Sequence, residues 1–276
     1  MRNAIQTPGY KMSNSTLNLS TLNGTNGFTI NGIDAYDYSG RFVSSAGDVN
    51  GDGIDDIIIG AEYADPDANS SAGESYVVFG SSEDWSKALN LSDLNGTNGF
   101  IINGIDEGDN SGYSVSSAGD VNGDGIDDII IGAWGADQYN AGNAGESYVV
   151  FGSSEDWSEA LDLSTLDGTN GFTINGIDAL DYSGTSVSSA GDVNGDGIDD
   201  IIIGAYGADP AGNLSAGESY VVFGSSEDWS EALDLSDLNG TNGFTINGID
   251  AYDYSGRFVS SAGDVNGDGI DDIIIG

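Results

Sequence analysis

"GDVNGDGIDDIIIG" occupies residues 47–60 and returns letter for letter at 119–132, 191–204 and 263–276. Each copy sets four aspartates, one asparagine and four glycines around a run of three isoleucines. The first part is rich in residues that turn a chain, and the isoleucines form a short β-branched run of the kind buried on both faces of a strand. A turn that feeds such a strand at fixed spacing predicts a β-hairpin, written four times into an all-β repeat fold.

The period is 72 residues throughout. Asp48, Asp120, Asp192 and Asp264 stand one period apart, as do Trp85, Trp157 and Trp229, and residues 22–60 are identical to residues 238–276. Within one period four strand signals appear: SGRFVSSAGDV (39–49), DDIIIGA (55–61), ESYVVFG (74–80) and GFIINGI (99–105). SSEDWSKALNLSDL (81–94) hints at a helical turn capped by Ser82 or Asp84. Four strands per repeat of constant length, apolar on both faces of the inner strands, favour a β-propeller of four-stranded antiparallel blades over a β-sandwich array or a β-solenoid. The chain would hold about four blades, three complete repeats plus an incomplete one. Residues 1–14 are expected to form a tail and residues 15–276 a single repeat domain.

Composition narrows the chemistry. The chain of 276 residues carries 46 acidic against five basic residues and no histidine, a formal charge of −41. That charge repels nucleic acid and anionic membranes and makes cations the natural partners. An apolar fraction of 38%, gathered in short runs, still predicts a folded chain. Without cysteine there is no disulfide, thiolate nucleophile or usual structural zinc site, and without histidine the commonest catalytic base is missing. No run approaches the ~18 apolar residues of a membrane span, and MRNAIQTPGYKM (1–12) lacks the apolar stretch of a secretory leader.

In the acidic turn, positions one, three, five and nine are Asp48, Asn50, Asp52 and Asp56. With the carbonyl of position seven, Ile54, they form the hard oxygen shell that Ca²⁺ prefers, and Gly51 and Gly53 let the backbone curl around it. The same donors recur as Asp120, Asn122, Asp124, Ile126 and Asp128; as Asp192, Asn194, Asp196, Ile198 and Asp200; and as Asp264, Asn266, Asp268, Ile270 and Asp272. About four calcium ions are therefore expected, in loops 48–56, 120–128, 192–200 and 264–272, with Asp55 outside the ligand set. Three carboxylates converging without a cation would repel and raise at least one pKa. An EF-hand would need a glutamate at position twelve, where Ile59 stands; a dockerin would continue as helix, and an acidic thrombospondin-type repeat would bring cysteines.

GDVNGDGIDDIIIGA and AGESYVVFG resemble the FG-GAP repeats of integrin α-chain propellers and their bacterial relatives, over nearly all of residues 15–276. The resemblance implies calcium-binding propeller blades that present a ligand-binding surface. Ser39-Gly40 replaces the Phe-Gly of the family pattern, and Gly60-Ala61-Glu62, Gly132-Ala133-Trp134 and Gly204-Ala205-Tyr206 replace Gly-Ala-Pro. Such propellers often have seven blades. Three explanations of this shorter chain stay open: a fragment of a longer array, which is preferred, a ring closed on its own N-terminal strand, or two chains that associate to complete one ring.

The copies differ in two places: after the second strand (62–71, 134–143, 206–215) and around 35–41, 107–113 and 179–185. These segments should emerge at a rim, where Tyr63, Trp134, Tyr139 and Tyr206 are candidate anchors for a protein or carbohydrate ligand, although drift in solvent loops would give the same pattern. The periodic tryptophans read as packing residues. The leading expectation is a non-enzymatic, calcium-stiffened adhesion or ligand-binding scaffold at the cell surface or outside the cell. A carbohydrate-binding or hydrolytic propeller and an acidic, halophilic surface-layer repeat remain as alternatives. Glu62 and Glu107 are the acids without an evident partner.

Overall fold

The computed structural model describes residues 2–4, 17–137 and 142–276. Each repeat contributes five strands rather than four. The first strands are β1 (Arg2–Ala4) and β2 (Phe28–Asn31), paired antiparallel. Then follow β3 (Val43–Gly47), β4 (Asp56–Ala61), β5 (Glu74–Val78), β6 (Ala88–Asn90) and β7 (Gly99–Asn103). The second set is β8 (Ser114–Gly119), β9 (Asp128–Ala133), β10 (Glu146–Val150), β11 (Ala160–Asp162) and β12 (Gly171–Asn175). The third is β13 (Ser186–Gly191), β14 (Asp200–Ala205), β15 (Glu218–Val222), β16 (Ala232–Asp234) and β17 (Gly243–Asn247), and β18 (Val259–Gly263) with β19 (Asp272–Ile275) makes the last hairpin.

Strands one, two, three and five of a repeat form an antiparallel blade, β3-β4-β5-β7 in the first and β8-β9-β10-β12 in the second. The short fourth strand leaves its own repeat: β11 adds in parallel to β7 of the blade before, and β16 to β12. The helical turn expected over 81–94 is thus a strand followed by a single 3₁₀ turn, Leu91–Asp93, with Asn90 rather than Ser82 or Asp84 at its N-cap. The register explains why. Leu89 sits opposite Ile30 on the neighbouring sheet, and Trp85 stacks on Phe28 at 4.2 Å between centroids and 6° between planes. Trp157 on Phe100 and Trp229 on Phe172 repeat the stack at 4.0 and 4.1 Å. An edge strand and an aromatic stack on the next sheet outweigh a weak local preference for helix.

In the first three copies the isoleucine run is buried on both faces because each of these blades lies between two other sheets. Ile58 joins the cluster shared with the following blade, among Phe100, Ile129, Ile131 and Tyr148, whereas Ile57 and Ile59 face the cluster of the preceding sheet with Phe28 and Leu91. Ile130 and its neighbours Ile129 and Ile131 divide in the same way. Inner strands β3, β8, β13 and β18 lie side by side in chain order. Between them Ser114 Oγ accepts the Val187 N–H and Ser186 Oγ the Val259 N–H, both at 3.0 Å. The glycine after the isoleucines is a point of contact: a Cβ on Gly132 would lie 1.9 Å from the carbonyl oxygen of Gly184 in the next blade. The arrangement is all-β, built of four-stranded antiparallel propeller blades edged by a borrowed strand. Among the described residues no helix is long and apolar enough to cross a membrane.

Candidate functional site

Each blade presents loops at two ends. The turn from the first to the second strand, 48–55 in the first blade, lies at one end, and the chain before the first strand and after the second lies at the other.

At the first end the loop folds on its own side chains. Asp48 accepts the N–H groups of Asp52 on Oδ1 at 3.0 Å and of Gly53 on Oδ2 at 2.7 Å. Asn50 Oδ1 accepts the Asp52 N–H and Asp52 Oδ1 the Ile54 N–H, each at 2.9 Å. Left-handed φ values of 70° at Gly51 and 85° at Gly53 make the curl, a region where other residues are strained. Asp120, Asn122 and Asp124 repeat these bonds, as do Asp192, Asn194 and Asp196, and Asp264, Asn266 and Asp268. The oxygens of positions one, three and five thus line one small loop in all four copies.

Position nine differs in kind. Asp56 is buried, with Oδ2 accepting the Val49 N–H at 3.0 Å and Oδ1 the Gly80 N–H at 2.7 Å, so it ties the start of the loop, just past the first strand, to the chain just past the third. Burial pushes its carboxyl up to about 7 against the pull of those two donors, with the charges of Asp52 and Asp48 adding to the rise. For the same causes Asp128 is pushed to about 8 and Asp200 to about 6. Asp272 keeps the contact to Val265 N–H at 2.9 Å and is less buried. Among the described residues no three acidic side chains are gathered into a metal cage. The donor set nevertheless suits a hard cation. A carboxylate offers about four lone-pair sites, so Asp48 and Asp52 retain acceptor capacity beyond their backbone partners.

The residue left out of the ligand set proves structural. Position eight of the second loop, Asp127, reaches across the blade boundary so that its Oδ2 accepts the Asp48 N–H at 2.9 Å. Its fourfold recurrence beside the ligands was the available signal; only the structure shows which neighbour it grips.

At the other end an aromatic row crosses the blades: Phe42 to Tyr113 at 4.9 Å, Tyr113 to Trp134 at 6.0 Å, Trp134 to Tyr182 at 5.7 Å, Tyr182 to Tyr206 at 5.3 Å and Tyr206 to Tyr254 at 6.1 Å. Trp134 and Tyr206 belong to this row, Tyr63 stands apart with Tyr38 at 5.4 Å, and Tyr139 lies outside the described residues. Tyr113 and Tyr182 lie in segments expected at a rim but were not named as anchors, and Phe42 and Tyr254 lie outside the segments named; nothing in the sequence shows that the residues before the first strand meet those after the second. Glu62 is not partnerless: it is buried and forms an ion pair with Arg41, whose guanidinium also lies 5.6 Å from the ring centre of Tyr113. Burial raises the Glu62 pKa, and the Arg41 hydrogen bond opposes the rise.

Around this row the backbone is strained. Tyr36, Leu180 and Tyr252 hold φ of 80°, 69° and 67°, where the second repeat uses Gly108 at 88°. Their side chains are 84%, 55% and 60% exposed, and Tyr252 meets Tyr254 at 6.5 Å, so burial does not account for large apolar residues at a position that glycine satisfies.

Three stretches of the chain, residues 39–78, 111–150 and 183–222, match the FG-GAP repeat. Over 249 residues, 89% of its length, the chain is 32% identical to integrin alpha pat-2 of Caenorhabditis elegans, of which this covers 18%. It is 29% identical over 252 residues (87% of this chain, 25% of the relative) to the phosphatidylinositol-glycan-specific phospholipase D of Dictyostelium discoideum. With integrin alpha-5 of Xenopus laevis it shares 28% identity over 194 residues, 65% of this chain and 17% of that one. The chain thus spans a quarter or less of these relatives. Matched stretches, blade order and relatives agree that the chain is an FG-GAP repeat protein, similar to the integrin α-chains.

Proposed function

We propose that the chain is a calcium-stiffened propeller segment that presents a ligand-binding rim at the cell surface or outside the cell. The observation that carries this reading is the repetition of one oxygen-lined loop, with the same hydrogen bonds, at the same end of every blade. In each loop the side chains of positions one, three, five and nine and the carbonyl of position seven would hold one ion, about four in all. A bound Ca²⁺ would supply positive charge to a chain of formal charge −41, relieving the repulsion among three carboxylates. Asp56 and its counterparts would fasten the loop to the sheet, so that order at the loop carries through the second strand to the opposite rim.

The partner reading draws on that rim. Strained, exposed Tyr36, Leu180 and Tyr252 above a row of aromatic side chains are what a protein-binding surface requires. A segment that aligns with both integrin α-chains and a phospholipase carries what the two have in common, which argues for a scaffold rather than for the chemistry of either. The role proposed is non-enzymatic.

The test is thermal unfolding with and without chelator. EDTA should lower the melting temperature, millimolar CaCl₂ should restore it, and equal MgCl₂ should restore less, because Mg²⁺ demands a stricter octahedron and gives up water reluctantly. An unfolding curve indifferent to EDTA and calcium would end the proposal.

A further inference from the structure

The loops do not stand alone. Asp127, at position eight of the second loop, accepts the Asp48 N–H on Oδ2 at 2.9 Å and donates its own N–H to the Asp48 carbonyl at 3.3 Å. Asp199 does the same to Asp120 at 3.0 and 3.3 Å, and Asp271 to Asp192 at 3.2 and 3.2 Å. A second strap runs beside the first, from the Ser153 N–H to the Val49 carbonyl and from the Ser225 N–H to the Val121 carbonyl, both at 2.9 Å. The backbone is shaped to receive this clasp. Gly47, Gly119 and Gly191 hold φ of 77°, 76° and 73°, and a Cβ on them would come within 2.3, 2.2 and 2.2 Å of the Oδ2 atoms of Asp127, Asp199 and Asp271.

We infer that the loops are wired in series: the eighth residue of each is a positioning residue that fixes the first cation ligand of the loop before it, so that filling one loop raises the affinity of its neighbour. This rests on the cation reading above. Asp127 lies between Ile126 and Asp128, positions seven and nine of its own loop, so closing that loop on an ion sets where its carboxylate and N–H stand. Asp48, held on the far side of that clasp, uses both carboxylate oxygens to shape loop 48–56. Linkage makes the effect reciprocal between the two loops.

Terbium(III), a luminescent stand-in for calcium, separates the loops. Trp85 lines the same cavity as Asn50 and Asp52, and Trp157 the same cavity as Asn122 and Asp124, so each sensitises the ion in its own loop. A chain carrying Trp157→Phe and Trp229→Phe reports loop 48–56; one carrying Trp85→Phe and Trp229→Phe reports loop 120–128. Because the coupling is reciprocal, Asp127→Ala should weaken terbium binding at 48–56 about tenfold when 120–128 is filled, the scale of one hydrogen bond to a charged acceptor, and weaken 120–128 by the same factor when 48–56 is filled. Asp127→Asn, which keeps an acceptor oxygen, should recover most of the loss. Asp124→Ala, which removes a ligand from loop 120–128, should also weaken 48–56, and adding Asp127→Ala to it should cost nothing more. A loss at 120–128 without a loss at 48–56 on Asp127→Ala, or an affinity at 48–56 unmoved by Asp124→Ala, would overturn the coupling. Absence of terbium binding by the unsubstituted loops would instead overturn the cation reading itself.

Discussion

Position 130 and position 274 carry the same isoleucine in the same local sequence, DDIIIG, and differ in what covers them. Ile130 is fully buried between the second and third blades, among Phe172, Ile201, Ile203 and Tyr220, whereas Ile274 in the last hairpin is 60% exposed. Replacing Ile130 by alanine removes three carbons, about 2.5 kcal/mol of transfer energy at ~0.8 kcal/mol each. The cavity left between two sheets that cannot both collapse onto it adds roughly 1 kcal/mol, for a total of about 3.5 kcal/mol. Scaled by its exposure, Ile274→Ala should cost about 1 kcal/mol or less. Urea unfolding of the 276-residue chain, followed by tryptophan fluorescence, measures both. Because a repeat array is held by nearest-neighbour interfaces, Ile130→Ala should also broaden the transition or split it in two, while Ile274→Ala should only shift it slightly. Equal losses from the two substitutions would mean that blade-to-blade packing is not what holds the array, and the reading of the isoleucine run would fall with it.

Two further outcomes follow from packing and charge. Burial raises Asp56, Asp109, Asp128 and Asp181 from 3.8 to about 7, 6, 8 and 7. A carboxyl whose folded value lies above its unfolded one contributes stability that is complete below the unfolded value and disappears as pH rises through the folded one. In EDTA the protein should therefore melt higher at pH 5 than at pH 8, and a melting temperature that climbs across that interval would contradict the burial of these groups. Trp157→Ala should cost about 3 kcal/mol, since it removes the 4.0 Å stack on Phe100 and the 3.1 Å hydrogen bond from Nε1 to the Ser153 carbonyl, whereas Trp157→Phe keeps an aromatic ring there. The two variants compared by thermal denaturation would show it, and similar melting temperatures would deny the stack its role.

The blade was legible because its signals are local. Three isoleucines in a row, glycines at the turn and a fixed period predict an antiparallel hairpin whose second strand is buried on both faces, and β4, β9 and β14 are that strand. What the sequence hid is whatever joins one repeat to the next. Ala88–Asn90 has too few residues to announce a strand, and its pairing with β2 depends on a surface that only the preceding sheet supplies. Position eight falls outside the expected ligand set, but nothing local to Asp127 says which loop its carboxylate meets. The aromatic row was half visible: Trp134 and Tyr206, and Tyr113 and Tyr182 some 20 residues earlier, all stand in segments that differ between copies, but they meet only after the hairpin closes.

The differences between copies at the rim gain meaning from that closure. Position 41 and position 62 face each other across the open end of the first hairpin as Arg41 and Glu62, an ion pair. In the second blade the same two positions hold Tyr113 and Trp134, packed edge to face at 6.0 Å. In the third they are Thr185 and Tyr206, and Tyr206 takes its contacts from Tyr182 and from Arg257 at 5.9 Å. Drift in unconstrained solvent loops would not replace a charge pair by an aromatic pair at matched positions, because a single change leaves a buried charge without its partner or a ring without its neighbour. The row is therefore built, and Tyr36, Gly108, Leu180 and Tyr252 vary at one matched, exposed position. There the fold asks for left-handed backbone, and three of four copies accept strain to hold a large apolar group largely in solvent, with the Tyr252 ring 6.5 Å from that of Tyr254. A partner that contacts the chain at this end would meet those side chains first and the packed aromatic row behind them.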